Sequence, residues 1–360
     1  MECIVKTGII GCGGIANGKH MPSIKQVPYV RMVAFCDIIP ERAEKAAKEY
    51  GVEGAKVYTD YRELLSDPEI EVVHVLTPNR EHAQITIDAL HAGKHVMCEK
   101  PMAKCAEDAR LMLEAAKATG KKLTIGYQSR KGAAARYAKQ YIESGALGEI
   151  YSVNSRSIRR RGTPNWGVFL DEEAQGGGPV IDIATHSLDL TLYLMNNYEP
   201  KMVLGRTHKK LEHPEAGNIW GDNGVSESKL EDSAVALILM NNGASILLET
   251  AWAINFSAEG GGDTVLCGTK GGLLLRDGKL KINSVQMGRQ IDTEVDLSAD
   301  GVAFYDGATE SNIVYEQFDW YDAIVNDRDP IVLPEQAYVV SQILEAIYVS
   351  SKTGEPVCFD

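Results

Sequence analysis

The sequence has neither an excess of basic residues nor a long apolar run. Its 37 Lys and Arg residues are outnumbered by 50 Asp and Glu, which gives a net charge of −13. An acidic chain repels nucleic acid and anionic membranes unless its basic residues gather in a patch, and the one basic run is short, at 159–161. The longest apolar runs, such as 234–240, have strand length and fall short of the roughly 20 residues that cross a membrane. We therefore expect no nucleic-acid partner and no membrane partner.

Disulfide and zinc-site patterns are also missing. The seven cysteines are scattered at positions 3, 12, 36, 98, 105, 267 and 358, with no Cys-x-x-Cys pair. An odd and scattered set is typical of reduced thiols, so we predict a cytoplasmic protein without a bound metal. Lys6 and nearby glycines interrupt any apolar segment at the N-terminus, and we expect no signal peptide.

The first 125 residues alternate between strand-like and helix-like segments. Short apolar segments at 7–11, 30–36, 72–76, 95–98 and 123–126 are separated by stretches that favour helix. Strands that alternate with helices indicate βαβ units and a parallel sheet covered on both faces. We predict an α/β N-terminal domain over residues 1–125.

The pattern changes after about residue 150, where strand-like segments follow one another with little helix between them. Asn-Asn-Gly at 241–243 and Asp-Gly at 277–278 are hairpin-turn signals. We predict a C-terminal α+β domain over 126–360 with a large, mostly antiparallel open sheet. One helix, at about 176–195, is embedded in it, and the polar stretch 209–231 is expected to be a mobile loop. Apolar segments at 234–240 and 246–248 would leave a sheet face for a homo-oligomer, a dimer or a tetramer.

A glycine-rich turn follows the first strand and opens the first helix. Gly11, Gly13 and Ala16 fit the pattern G-x-G-x-x-G/A, and the second strand ends in Asp37. This context is that of a Rossmann dinucleotide-binding domain, in which the glycines let the backbone approach a pyrophosphate. A carboxylate at Asp37 binds both ribose hydroxyls and repels a 2′-phosphate, so we predict NAD as the cofactor in preference to NADP.

Two further groups lie at carboxyl ends of predicted strands, the edge that lines the ligand crevice of such folds. Thr77, Pro78 and Asn79 follow one strand, and we expect them to contact the cofactor. His82, one helical turn later, is either a cofactor contact or an ordinary histidine at a helix start. Lys100, after another strand, could stabilise a developing alkoxide beside a nicotinamide.

The helix embedded in the second domain carries an unexpected polar stripe. Most of its circumference is apolar, yet Asp182, Thr185, His186 and Asp189 have helical offsets of 0, +3, +4 and +7. Polar groups on a buried helix must find partners or line a cavity. His186 could act as a general base with Asp182 orienting it or binding a sugar, or the four residues could form a packing network.

Taken together, these motifs resemble the Gfo/Idh/MocA oxidoreductases. The resemblance rests on Gly-Cys-Gly-Gly-Ile-Ala at 11–16, Glu-Lys-Pro-Met-Ala at 99–103 and the segment 176–189, and it extends over nearly the whole chain. It implies hydride transfer between NAD(P) and a sugar or polyol carbon. It also implies a cis bond before Pro101.

The resemblance also assigns roles to individual residues. By motif, Lys100, Asp182 and His186 are the catalytic and substrate-binding residues. The loop 159–167 is similar to one that covers the nicotinamide, with Trp166 near the ring and Arg161 as the arginine nearest the substrate. The expected cofactor contacts also include Gly14, Ile15, Glu99 and Gln128.

The function predicted from the sequence is NAD-dependent oxidation of a secondary hydroxyl of a sugar or glycoside. The loop 159–167 resembles a branch acting at C3 of glucosides, C-glycosides included. Alternatives are an inositol or polyol dehydrogenase and an NAD-assisted enzyme that cleaves glycosides through a 3-keto intermediate. A non-catalytic NAD sensor is disfavoured, because it would have no need of Lys100, Asp182 and His186 together.

Overall fold

A computed structural model describes residues 4–256, 261–297 and 312–359. The chain divides into two compact units. The first runs to Gln128 and includes the later segment that ends at Tyr338, and the second runs from Ser129 and resumes at Val339. The sequence analysis placed the boundary at 125 and assigned everything after it to the second domain, whereas residues 312–338 group with the first unit.

The first unit is built on a parallel sheet of six strands. The strand order is β3-β2-β1-β4-β5-β6, so consecutive strands run outward in both directions from β1 and β4. At such a reversal the chain leaves a crevice beside the carboxyl ends of the two central strands. The predicted Rossmann sheet is confirmed. Its strands are β1 (Val5–Ile10), β2 (Val30–Cys36), β3 (Lys56–Tyr58), β4 (Val72–Val75), β5 (His95–Cys98) and β6 (Leu123–Ile125).

The helices of this unit begin and end where the sequence favours it. A proline opens α2, and Gly120 follows α5 in the left-handed conformation that glycine adopts without strain. The first helix has a π-helical turn, Ala16–His20, directly after the glycine motif. The α-helices are α1 (Met21–Ile24), α2 (Pro40–Tyr50), α3 (Tyr61–Leu65), α4 (Asn79–His91) and α5 (Ala106–Thr119).

The second unit contains a nine-stranded sheet in the order β14-β13-β12-β11-β7-β10-β9-β8-β15. Every neighbouring pair is antiparallel except β7 and β10, so the predicted sheet type is confirmed. Residues alternate between buried and exposed along β9, as expected when one face packs on a core. The strands are β7 (Ile150–Ile158), β8 (Pro200–His208), β9 (Ser233–Met240), β10 (Ser245–Ala251), β11 (Gly261–Gly268), β12 (Gly271–Arg276), β13 (Lys279–Gln286), β14 (Arg289–Val295) and β15 (Val357–Cys358).

The helices of the second unit include the segment expected to carry the chemistry. The predicted helix over 176–195 is a π-helical turn, Val180–Ala184, that continues into α8 (Thr185–Met195). Helix α8 packs on β7, where Thr191 donates a hydrogen bond of 3.0 Å to Ser155. The other helices here are α6 (Ala133–Glu143) and α7 (Glu172–Gln175).

Two further helices lie between residue 312 and the strand β15. Trp320 and Tyr321 of α9 (Asn312–Val325) are buried, and the Tyr321 hydroxyl lies 3.0 Å from Thr7 Oγ1 on β1. These contacts explain why this segment belongs to the first unit. In α10 (Pro334–Thr353), Ser350 accepts a hydrogen bond from the Gly205 amide on β8 of the second unit. No helix among the described residues is both long enough and apolar enough to span a membrane.

Candidate functional site

The glycine turn lies at the strand reversal of the first unit and is shaped by a close backbone approach. Gly11 has φ +92°, and a Cβ atom there would lie 2.7 Å from the carbonyl oxygen of Leu76. A side chain is therefore excluded where the ends of β1 and β4 meet. Cβ atoms on Gly13 and Gly14 would meet no atom of the described residues within 4 Å, so this part of the turn is open on the side where a side chain would lie. Ile15, the next residue, is 44% exposed.

Asp37 closes this turn from the end of β2. Its carboxylate accepts hydrogen bonds from the amides of Cys12, at 2.8 Å, and Ile39, at 2.9 Å. A carboxylate has about four acceptor positions, so these two bonds leave capacity for hydroxyl groups. Asp37 thus holds the glycine turn in shape and places a carboxylate beside it, where the sequence analysis expects a ribose contact.

The residues after β4 occupy the other side of the reversal. Pro78 precedes the first turn of α4, and Asn79 begins that helix. The buried hydroxyl oxygen of Thr77 has no hydrogen-bond partner among the described residues. The His82 ring is buried, with Nδ1 2.8 Å from the Pro101 carbonyl oxygen and Nε2 3.0 Å from that of Thr77. Both ring nitrogens are thereby engaged, which favours the packing alternative for His82. The ring ties the end of β4 to the segment that follows Lys100.

The glutamate of the Glu-Lys-Pro segment belongs to a buried cluster of charged residues. Glu99 Oε1 is 2.7 Å from both Lys19 Nζ and His20 Nε2, and its Oε2 accepts a bond of 2.9 Å from the Lys100 amide. Lys19 also lies 3.2 Å from Glu316 and donates to Gln128 at 3.3 Å. Glu99 and Gln128 therefore belong to a network that fixes the backbone of Lys100, whose bond to Pro101 is cis as expected.

Charge compensation sets the protonation state of this cluster. Burial acts to raise the pKa of Glu99, but the neighbouring Lys19 ammonium and His20 hold it well below its usual value. Burial likewise acts to lower the pKa of Lys19, and the Glu316 and Glu99 carboxylates raise it above its usual value. Lys19 and Glu99 are consequently a buried ion pair at neutral pH. The sequence analysis missed Lys19, because no local pattern marks it.

In the second unit, the π-helical turn Val180–Ala184 carries Asp182. The Trp252 indole donates a bond of 2.9 Å to Asp182 Oδ2, and Arg159 Nη1 lies 3.7 Å from the same oxygen. His186 follows in the first turn of α8 and is half-buried. Wide turns of this kind are frequent at functional sites, where they rotate side chains away from the regular helical register.

The predicted polar stripe is divided between two roles. Asp189 is fully buried and receives two hydrogen bonds from Arg130, of 2.9 and 2.5 Å. Thr185 is also fully buried, whereas Asp182 and His186 are only partly so. The packing interpretation thus holds for Asp189, whereas Asp182 and His186 are the polar residues of the stripe that are partly exposed.

The three arginines at 159–161 also differ. Arg161 donates to the carbonyl oxygens of Ala216, Arg160 and Ile254 and to the Asn255 side chain. The Arg161 guanidinium therefore links its own loop to the segments that contain Ala216 and Ile254. Arg159 is the arginine beside Asp182, although the sequence analysis favoured Arg161.

The stretch 209–231, expected to be mobile, is fastened to the loop that carries Trp166. The Asn218 side chain donates to and accepts from the Thr163 backbone, and Asn165 donates to the carbonyls of Trp220 and Gly221. Trp166 and Trp220 meet edge to face with ring centroids 4.8 Å apart. Trp220 was missed because its partner is 54 residues distant in sequence.

The carboxylate of Glu231 accepts hydrogen bonds at the start of the π-helical turn Val180–Ala184. Glu231 Oε1 accepts bonds from the amides of Gly178, at 3.0 Å, and Val180, at 3.3 Å, and from the Tyr348 hydroxyl at 2.6 Å. Burial raises the pKa of Glu231, although these donors act in the opposite direction. The sequence shows Glu231 only as an acidic residue before a strand, without this role.

The first unit has the features that a dinucleotide requires. The open space over Gly13 and Gly14 is where a pyrophosphate would approach the backbone, and Asp37 lies beside it for the ribose hydroxyls. Thr77, Pro78 and Asn79 line the second side of the same reversal. The second unit provides an imidazole and an oriented carboxylate, which suit proton transfer to or from a hydroxyl group.

Comparison with known proteins gives consistent matches along the chain. Residues 5–127 match the family model described as "Oxidoreductase family, NAD-binding Rossmann fold", and residues 139–359 match its "C-terminal alpha/beta domain". The sequence is 31% identical to D-glucoside 3-dehydrogenase of Escherichia coli, over 98% of this chain and 97% of that protein. It is 34% identical to levoglucosan dehydrogenase of Pseudarthrobacter phenanthrenivorans, over 54% of this chain and 52% of that protein.

Solved structures show the same fold. The aldose-aldose oxidoreductase of Caulobacter crescentus, crystallised with glycerol, superimposes with a TM-score of 0.81 at 25% identity and covers 99% of this chain and 100% of its own. Since family models match both domains and a relative aligns along nearly the full length, the chain belongs to the Gfo/Idh/MocA family of oxidoreductases, and its cofactor is NAD.

Proposed function

We propose that this protein oxidises a secondary hydroxyl of a sugar or glycoside, with the first unit binding NAD and the second binding the substrate. The observation that carries the proposal is the pair in the second unit, where Asp182 is oriented by Trp252 and His186 follows one turn later. The relatives named above are a glucoside dehydrogenase and a levoglucosan dehydrogenase. We propose C3 of a glucoside as the carbon oxidised, following the relative that spans nearly the whole chain.

His186 is proposed as the general base that removes the hydroxyl proton. Imidazole suits this role because its ordinary pKa lies near neutrality. Bound NAD supplies the acceptor for the hydride that leaves the same carbon.

Lys100 is proposed to bind the reacting oxygen and to stabilise the negative charge that develops there. Its backbone amide is held by the buried Glu99 carboxylate, which limits the freedom of the residue. A compact ammonium suits a single oxygen better than a planar guanidinium does.

Asp182 is proposed to bind a neighbouring hydroxyl and to orient the substrate. The Trp252 indole uses one of its oxygens, and Arg159 lies near the same oxygen. A carboxylate accepts hydrogen bonds at both oxygens, which suits it to bind a sugar hydroxyl.

The test combines product analysis with two variants. We expect NADH to form with glucosides, and mass analysis should show a product 2 Da lighter than the substrate. His186→Ala should slow single-turnover hydride transfer by roughly 10²–10⁴-fold and leave NAD affinity nearly unchanged. Lys100→Ala should also be slow, and Lys100→Arg should not restore the full rate.

Thermal melting of each variant provides the control for folding. A His186→Ala protein that melts like the wild type and turns over at the wild-type rate would contradict the mechanism. Release of free aglycone without added NAD would instead support the glycoside-cleaving alternative. Oxidation of inositols in preference to glucosides would support the polyol alternative.

We also propose a homo-oligomer formed through the sheet of the second unit. Leu204, Leu237 and Leu247 are paired across β8, β9 and β10 in one row and are 44%, 38% and 39% exposed. Neighbouring leucines on an uncovered sheet face are typical of an interface. Within the described residues, none of the six cysteines forms a disulfide, which supports the proposed cytoplasmic location.

A further inference from the structure

Two tryptophans in the second unit are exposed, although tryptophan is on average a well-buried residue. Trp166 is 49% exposed and Trp220 is 41% exposed. Their rings are nearly perpendicular, at 86°, and Phe169 lies 5.5 Å from Trp166. We refer to Trp166, Trp220 and Phe169 as the aromatic platform.

The aromatic platform is held rigidly by the protein. Phe169 packs on a buried cluster that contains Ile183 and Trp252. Ile183 follows Asp182 in the sequence, and the Trp252 indole donates a hydrogen bond to Asp182. The backbone around Trp220 is fixed by the amide of Asn165, which donates to the carbonyls of Trp220 and Gly221 at 2.9 Å each. Exposed aromatic rings on a fixed backbone are suited to binding, because little conformational entropy is lost when a ligand stacks on them.

The aromatic platform is connected to Asp182 through a single side chain. The Arg159 guanidinium lies 5.6 Å from the centre of the Trp220 ring, in a cation–π contact, and 3.7 Å from Asp182 Oδ2. Trp220 therefore lies near enough to Asp182 for a group attached to a substrate bound at Asp182 to reach its ring.

The polar groups around the platform are largely used within the protein. Asn165 and Asn218 each donate two hydrogen bonds to backbone carbonyls, and Asn223 donates to the Asn165 carbonyl. A second sugar ring would need free donors and acceptors for its hydroxyl groups. A flat apolar ring needs only indole faces and edges.

We infer that the substrate is a glycoside whose aglycone is a planar aromatic group, bound by the aromatic platform through Trp220. This inference rests on the proposed function and specifies the class of glycoside that the site prefers. It assigns specificity to the segments 162–169 and 218–223 rather than to the residues proposed for proton transfer.

The test compares phenyl glucoside, methyl glucoside and cellobiose, with both anomers of the two simple glucosides. Burying a phenyl ring is expected to raise kcat/KM for phenyl over methyl glucoside by about 10–100-fold. Trp220→Ala should lower that ratio by about tenfold, and Trp220→Phe should retain most of it. Tyr137→Ala is the matched control, because Tyr137 is 40% exposed on α6 and stacks on Tyr141; it should leave the ratio unchanged.

Three results would overturn the inference: equal kcat/KM for phenyl and methyl glucoside, a preference for cellobiose, or an unchanged ratio in Trp220→Ala. If no glucoside yields NADH, the proposed function fails. In that case, the role of the aromatic platform is tested by measuring the affinity of the NAD-loaded protein for phenyl glucoside by calorimetry. Binding by the wild type that weakens about tenfold in Trp220→Ala would support the platform, and absence of binding would refute it.

Discussion

At the scale of single residues, the buried carboxylate and imidazole groups of the first unit each have an identifiable partner. Asp37 holds two backbone amides, Glu99 holds Lys19, His20 and the Lys100 amide, and His82 joins two carbonyl groups. These side chains therefore hold the backbone around the crevice and also set its charge. A substitution at one of these positions is expected to change both the local backbone and the charge.

Asp37 should determine the choice between NAD and NADP. Its carboxylate repels a 2′-phosphate, so NADP should bind more weakly than NAD in the wild type. Asp37→Asn should narrow the difference in affinity between NAD and NADP, since the charge is gone while one of the two acceptor oxygens remains. Titration of both cofactors measures this, with Glu41→Gln as a control at an exposed carboxylate four residues away. Equal or tighter NADP binding by the wild type would contradict the assignment.

His95 should make the protein less stable in mild acid. Burial, together with Lys121 and Lys122, lowers the pKa of His95 to about 4, and the Lys122 amide donates to His95 Nδ1 at 3.0 Å. The unfolded chain binds a proton near its ordinary pKa of about 6.5, whereas the folded ring stays neutral. Stability should therefore fall as the pH decreases from about 6.5 to 4.

The contribution of His95 should be about 1–2 kcal/mol, because the ring is only partly buried. Urea unfolding at pH 7.5 and pH 5 measures it. His95→Gln should lose less stability between these pH values than the wild type does, and His91→Gln, at an exposed histidine, should behave like the wild type. An identical pH dependence in wild type and His95→Gln would refute the assignment.

At the scale of elements, the two π-helical turns are the departures from regular structure that matter for the site. One follows the glycine motif and supplies Lys19 and His20, and the other supplies Asp182. Glu231 accepts hydrogen bonds from the amides at the start of the second turn and from Tyr348 on α10. We therefore regard Glu231 as a positioning residue for Asp182.

Glu231→Ala should lower kcat by about tenfold or more and lower the melting temperature, because two buried amides and a hydroxyl lose their acceptor. Glu231→Gln should restore much of kcat, since its amide oxygen can accept the same bonds. Glu227→Ala, at an exposed carboxylate in the same loop, is the control. If Glu231→Ala has the wild-type kcat when it is assayed well below its melting temperature, Glu231 has only a structural role.

The sequence was sufficient for the elements whose signals are local. The buried strands, the Asp277-Gly278 turn and the glycine motif follow from patterns within a few residues. The sequence analysis missed β3, whose three residues are largely exposed and carry no core pattern. It also overlooked α9 as part of the first unit, because the contact between Tyr321 and Thr7 joins residues 314 positions apart.

The site residues that could be predicted from the sequence were likewise those with a local signal. Asp182 and His186 stood out as polar groups on an apolar helix. The functions of Arg159 and Arg161 could not be separated, since adjacent arginines look alike until the distant partners Asp182 and Ala216 are known.

At the scale of the whole molecule, the row of exposed leucines on β8, β9 and β10 is the surface through which we propose that the protein assembles. Leu237→Lys should disrupt the proposed homo-oligomer, because a charge would be buried among Leu204 and Leu247. Light scattering at micromolar concentration should then show a lower mass than for the wild type. Leu111→Lys is the matched control, since Leu111 is 39% exposed on α5 of the first unit. A monomeric wild type would refute the proposal.

The strand at the far end of the same sheet has the opposite character. Among the described residues, strand β14 has a paired neighbour on one side only, and Arg289, Asp292 and Glu294 are exposed along it. A further strand arriving from another molecule would have to dehydrate these charges to add its hydrogen bonds. We therefore expect the exposed charges on β14 to disfavour the addition of a strand from another molecule at this edge, so that a concentrated solution of the protein is protected against fibre growth.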